Sequence, residues 1–161
     1  IAGMDELKLI IGYYDETIFY QRWVILPSVV YPDSNKVTGR IKHLSIFRIL
    51  QLFAAANLSS VIVYPNPYKP GATGINKQFS DPLLGTGIIF SGLTSKANIK
   101  IYNIAAELVY ETDETDGNGI NLWNTENKDG DKVASGLYIY YITNPDDTKM
   151  KPVKGKFTIV R

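Results

Sequence analysis

The 161-residue chain contains no cysteine and a single histidine. The missing thiols exclude disulfides, thiolate nucleophiles and cysteine metal sites. The one histidine, His43, has Ser45 two residues away. A Ser-His pair also needs an orienting acid and oxyanion donors, and nothing in the sequence marks either. His43 therefore reads as a core or edge residue bonded to Ser45 or to backbone. Charge of one sign is also lacking. Seventeen basic and sixteen acidic residues leave a formal net charge of +1. No global field draws such a chain to nucleic acid or to an anionic membrane.

Long apolar runs are missing as well. The longest, LSIFRILQLFAAANL, is short and broken by Arg48 and Gln51, so it does not span a bilayer. The GATG and GTG stretches are followed by neither Lys-Ser/Thr nor a helical pattern, so they are not phosphate loops. Aromatic residues have no matching basic stripe, which argues against single-stranded nucleic acid. The chain opens on Ile1 with no basic-then-apolar leader. No signal peptide is visible, and a start without Met reads as a processed or excised part of a longer protein. None of these features points to an enzyme.

What the chain does have is strand chemistry. Hydrophobic residues make up 45% and charged residues 20%, a globular rather than disordered balance. Eleven tyrosines and many Val and Ile residues favour extended segments. Up to about residue 53, ELKLIIGYYD reads as a strand and FYQRWVIL as its antiparallel partner. Prolines 27 and 32 and PDSNK then make a turn. KVTGRIKHLSIFRIL fits both a three-residue and a two-residue apolar spacing. Its β-branched density and Thr38-Gly39 favour a strand. Residues 54–60, AAANLSS, read as a linker.

From residue 61, seven candidate strands recur at roughly ten-residue spacing with turn residues between them: SVIVYP, TGIIFSGL, NIKIYNI, ELVYETD, GINLWN, GLYIYYIT and KGKFTIVR. That pattern predicts a β-sandwich. The first strand stops hard at Pro65, Pro67 and Pro70. Proline cannot donate to a ladder, so Pro65 must end or edge the strand, and the stretch reads as a stiff crossover. In GLYIYYIT both faces are heavy, which predicts a central strand, and Trp123 is the expected plug between the sheets. KGKFTIVR places Lys154, Lys156 and Thr158 opposite Phe157 and Ile159, as suits a sheet edge guarded by charge.

Two stretches, ETDETDGNG and NTENKDGD, are rich in hard oxygen donors. Calcium could use Asp113, Asp116, Asn118, Asn127, Asp129 or Asp131. Neither stretch fits an EF-hand, and Asp-Gly and Asn-Gly pairs are also what tight turns require, so turns are the favoured reading. No other cofactor is expected.

Several motifs follow one another in a recognisable order: VYPNPYKP, IIFSGLTSKANIKIYNIAAELV, LWNTENKDGDKVASGLYIYYI and KGKFTIVR. Together they resemble the small Ig-like β-sandwich that ends many exported bacterial proteins. That module is related to the Ig-like domain of the flagellar hook-capping protein and to the type A C-terminal sorting domain of the type IX secretion system. The resemblance covers about residues 61–161. One position departs from it: the family usually has Gly before ELV, where this chain has Ala106. If that position needs positive φ, Ala costs roughly 1 kcal/mol or more, and the turn would differ in type. More weakly, YYDETIFYQRWVILPS…VTGRIKHLSIF resembles the last strands of surface-protein β-sandwiches.

The resulting expectation is an all-β chain of two tandem β-sandwich units. Residues 1–53 form a partial one, 54–60 a linker, and 61–161 an Ig-like one. About 53 residues bury too little surface to stand alone. The first unit is then the tail of a larger domain, packs on the second, or borrows strands from another molecule. The resemblance implies a non-catalytic region of an exported protein, at the cell surface or outside the cell. It would act in secretion sorting or surface attachment, with Lys154, Lys156 and Arg161 as contacts to the secretion or anchoring machinery. The alternative is a filament or sheath subunit that joins identical copies by strand addition. Carbohydrate binding through exposed Tyr and Trp is a third class.

Overall fold

The computed structural model describes residues 8–15, 22–26, 28–41, 44–72 and 86–161. Their regular elements are strands, joined by short 3-10 turns such as Pro32–Ser34 and Leu58–Ser60. The chain is all-β and divides into two compact units, one up to Leu52 and one from Phe53.

The first unit contains β1 (Leu9–Asp15), β2 (Arg22–Leu26), β3 (Ser28–Tyr31), β4 (Lys36–Gly39) and β5 (Phe47–Gln51). β1 lies between β2 and β5, antiparallel to both. β3 and β4 form a separate hairpin. Asn35 turns it at φ 47°, a region that Asn tolerates better than most residues. Ile10 and Leu26 are buried. The Ser28 hydroxyl accepts from the Ile11 N–H at 3.0 Å and donates to the Leu26 carbonyl at 2.8 Å, which ties β3 to the sheet.

The run from Lys36 to Leu50, expected as one strand, is two. β4 ends the hairpin with β3, and the chain joins the other sheet, beside β1, from Phe47. The backbone of Tyr14 explains where the chain is recaptured. Its N–H donates to the Ile46 carbonyl at 2.9 Å, and its carbonyl accepts the Ser45 hydroxyl at 2.6 Å. The two ends of the run pair with different strands, β4 with β3 and β5 with β1. Leu44, between those ends, is 93% exposed. His43 lies outside the described residues.

The second unit holds all seven strands that the spacing predicts: β6 (Ile62–Tyr64), β7 (Ile88–Ser91), β8 (Ala97–Tyr102), β9 (Leu108–Glu114), β10 (Ile120–Trp123), β11 (Gly136–Thr143) and β12 (Val153–Ile159). They form a three-stranded sheet ordered β10-β7-β6 and a four-stranded sheet ordered β12-β11-β8-β9, every pairing antiparallel. Inward residues of both sheets make one core, including Ile88 and Phe90 from the first and Ile99, Ile101, Tyr138, Ile142 and Phe157 from the second. Trp123, fully buried, sits among them. Its ring stacks on Tyr110 at 6.0 Å and meets Tyr138 and Phe157 at 5.9 and 5.8 Å. The indole N–H donates to the Glu126 carbonyl at 2.7 Å, so no buried donor is wasted. Truncating such a residue typically costs about 3–5 kcal/mol.

Residues 54–60 do not act as a free linker. Asn57 caps the turn Leu58–Ser60 by accepting from the Ser59 N–H at 2.9 Å. The turn inserts Leu58 into the core, where it is 2% exposed. The Ala55 N–H also donates to the Leu93 carbonyl at 2.7 Å. A single apolar residue among small polar ones gives too weak a periodic signal to reveal this docking from sequence.

Candidate partner-binding face

β12 carries the residues that the sequence marks as contacts, and its own position depends on the proline stretch. β6 ends at Tyr64, and the next residues cross from its sheet to the other one. Both X–Pro bonds, Tyr64–Pro65 and Asn66–Pro67, are cis. Neither proline offers an N–H. Asn66, between them, supplies a side chain instead. Its Nδ2 donates to the Lys156 carbonyl at 3.3 Å and its Oδ1 accepts from the Thr158 N–H at 3.1 Å. Tyr68 then forms a parallel bridge to Ile159. Its N–H donates to the Thr158 carbonyl at 2.7 Å and its carbonyl accepts from the Val160 N–H at 2.9 Å. The abrupt stop after β6 thus changes sheets and covers the free edge of β12 from Lys156 onward. The sequence signals the crossover; the plugging role of Asn66 needs the register of a strand ninety residues away.

β12 also presents an outer face. Lys154 and Lys156 stand exposed there, and neither has an ion-pair partner among the described residues. Cross-strand register sets Lys154 beside Tyr141 and Lys156 beside Ile139. Leu137, Ile139 and Tyr141 of β11 are 38–39% exposed. β11 is central, as its two heavy faces predict, and its outer face is an apolar stripe bordered by lysines. The opposite face packs inward. Tyr140 lies opposite Gly155, where a Cβ would sit 2.3 Å from the tyrosine hydroxyl oxygen. Only glycine admits that ring, which stacks on Phe157 at 6.3 Å.

Arg161, expected beside the two lysines as a contact, is also exposed, but its guanidinium is hydrogen-bonded to the loop after β10. Its Nε donates to the Val133 carbonyl at 2.8 Å and its terminal nitrogen to the Thr125 hydroxyl at 2.7 Å. Its backbone N–H donates to the Ser135 hydroxyl at 2.8 Å. Thr125 is buried and holds φ 61°, an unusual conformation for a β-branched residue. The planar guanidinium fits this cluster of acceptors better than water does. The VASGLY motif gains its meaning here. Val133 and Ser135 hold Arg161, and the Ala134 carbonyl accepts the Tyr138 hydroxyl at 2.8 Å.

Of the candidate calcium ligands, Asp113 lies at the end of β9 and the others fall in two turns, where Asp116, Asn118 and Asn127 accept hydrogen bonds. Asp116 accepts from the N–H of Asn118 at 2.9 Å and from its Nδ2 at 2.8 Å, while Asn118 Oδ1 accepts from the Ile120 N–H at 2.7 Å. Asn127 Oδ1 accepts from the N–H groups of Asp129 and Asp131, both at 2.9 Å. Asp113 accepts from Asn98 Nδ2 at 2.9 Å. Among the described residues no three His, Cys, Asp or Glu side chains gather as an ion would require.

Glu114 was not singled out by the sequence reading, although alternation along β9 places it inward with Tyr110 and Thr112. It is 3% exposed, and its Oε1 accepts from the N–H groups of Asn118 and Gly119 at 3.1 and 3.2 Å. Burial, then the adjoining Asp116 carboxyl, pushes its pKa up to about 7.

Residues 70–159, more than half of the chain, match the CHU_C type IX secretion signal domain. The chain belongs to that family. The match runs from Pro70 to Ile159 and takes in six of the seven strands of the second unit, β12 among them. A type IX secretion signal domain is a non-catalytic sorting domain, so this chain carries the sorting signal of an exported protein. A solved structure is also similar: PorZ, described as an essential bacterial surface component of the type IX secretion system of human oral-microbiomic Porphyromonas gingivalis. It is 28% identical, with a TM-score of 0.48, and the alignment covers 67% of this chain and 12% of that one. No curated protein matches.

Proposed function

We propose that the export machinery reads the outer face of β11 and β12, with Lys154 and Lys156 as the charged contacts and Ile139 and Tyr141 as the apolar ones. The observation that carries this reading is the pair of lysines. Both are exposed, unpaired among the described residues and aligned by register with an apolar stripe. Lysines that only guard an edge need no apolar neighbours on the same face. Arg161 is read as a positioning residue, because its Nε and one terminal nitrogen bond Val133 and Thr125. The sorted protein is then delivered to the cell surface or beyond it, and the first unit travels with the signal.

The test is export of an unrelated reporter fused ahead of the whole 161-residue chain, in a bacterium that possesses a type IX system. Substituting both lysines, Lys154→Glu and Lys156→Glu, lowers export at unchanged melting temperature. Unchanged export would reject the face.

A further inference from the structure

The outer face of the four-stranded sheet is graded in charge as well as apolar. Register arranges it in rows across the strands. One row runs Lys156, Ile139, Tyr102, Leu108; the next runs Lys154, Tyr141, Lys100, Glu111. A third pairs Thr143, Asn98 and Asp113. The β12 side is basic and the β9 side acidic, with Leu137, Ile139, Tyr141 and Leu108 exposed on the same face. Exposed apolar side chains clustered this way mark a contact surface more often than scattered ones do.

From this arrangement we infer that the face pairs with the same face of a second copy of the chain. The charge pattern chooses the symmetry. A two-fold axis across the strands lays β12 over β12, lysine against lysine. A two-fold axis along the strands reverses the strand order while keeping each row at its own height. Lys154 then meets Glu111 of the second copy, Tyr141 meets Lys100, and Ile139 meets Tyr102. Opposite charges, a cation over an aromatic ring and an aliphatic-aromatic contact all result from one operation. Each contact occurs twice, as an isologous pair requires, so the assembly closes at two copies and does not grow into a fibre. Lys100 already lies 3.5 Å from Glu111 within one copy, so the added lysine completes a small network rather than a lone pair.

Four strands about 4.8 Å apart and seven residues long present a face of roughly 15 by 23 Å. That is less than the ~800 Å² per partner of a standard interface, so the pair forms only at roughly submillimolar chain concentration. Sedimentation equilibrium of the whole 161-residue chain, from about 10 µM to about 1 mM, reads this directly. The mass is expected to rise to twice the monomer and stop. Ile139→Asp should leave a monomer throughout, and Lys154→Glu should weaken pairing about tenfold. Lys154→Glu combined with Glu111→Lys should recover most of the loss, an outcome that misfolding cannot imitate. A monomer at every concentration, growth past the dimer, or a double variant no better than Lys154→Glu alone would each overturn the inference. Loss of export in the lysine variants tests a different partner of the same face, so the two results fail separately.

Discussion

Ala106 occupies a conformation that glycine adopts freely, at φ 62°. Asn103 holds the turn from one side. Its Oδ1 accepts from the N–H groups of Ala105 and Glu107 at 2.9 and 3.0 Å, and its carbonyl accepts from the Ala106 N–H at 3.1 Å. The position does hold positive φ, so Ala106 carries the strain expected of a non-glycine residue there. Ala106→Gly should raise stability by about 1 kcal/mol, read as a shift in the urea midpoint at constant slope. Arg161→Ala should act in the other direction. It strips the Thr125 hydroxyl and the Val133 carbonyl of their donor, a loss of about 1–3 kcal/mol in the same measurement. Arg161→Lys should recover only part of this, because an ammonium has no fork. Glu114 makes stability depend on pH. Its folded pKa, about 7, lies above the ordinary value of 4.5. Below 4.5 both folded and unfolded chains hold the proton. Between 4.5 and about 7 the unfolded chain releases it first, so stability falls as pH rises and levels off beyond. Denaturant midpoints across that window should drop for the native chain and flatten for Glu114→Gln.

The strands of the second unit were legible because each is short, rich in β-branched or aromatic residues and bounded by turn residues. GLYIYYIT announces its central place by carrying apolar residues on both faces, and β11 is flanked by β12 and β8. What sequence could not supply depends on partners far along the chain. Asn66 meets Lys156 and Thr158 only because two sheets bring them together, and Leu58 reaches the core only because Asn57 turns the chain there. The run through Leu44 misled for the opposite reason. Its local β preference is real, but its two ends pair with different strands, β3 and β1. The acidic turns belong to this scale as well. The Asp116, Asn118 and Asn127 side-chain oxygens accept backbone N–H groups, so excess EDTA should leave the melting temperature unchanged. A drop of several degrees, restored by calcium, would return these turns to the metal reading.

At the scale of the molecule, the second unit is a two-sheet sandwich that belongs to a family of sorting domains. The candidate face was half legible. Lys154 and Lys156 were visible as alternating charges on a terminal strand, and the resemblance to sorting domains gave them a role. The apolar stripe beside them came only with the register between β11 and β12. Arg161 looked equivalent to the lysines in sequence, but it differs because the loop after β10 bends back to meet it. The most direct measurement is the exported fraction of a reporter carrying the whole chain, compared with the Lys154→Glu, Lys156→Glu variant at matched expression and matched melting temperature. The account predicts a loss of about tenfold or more, as expected when charges at a contact are reversed. Equal export by the two chains would contradict it.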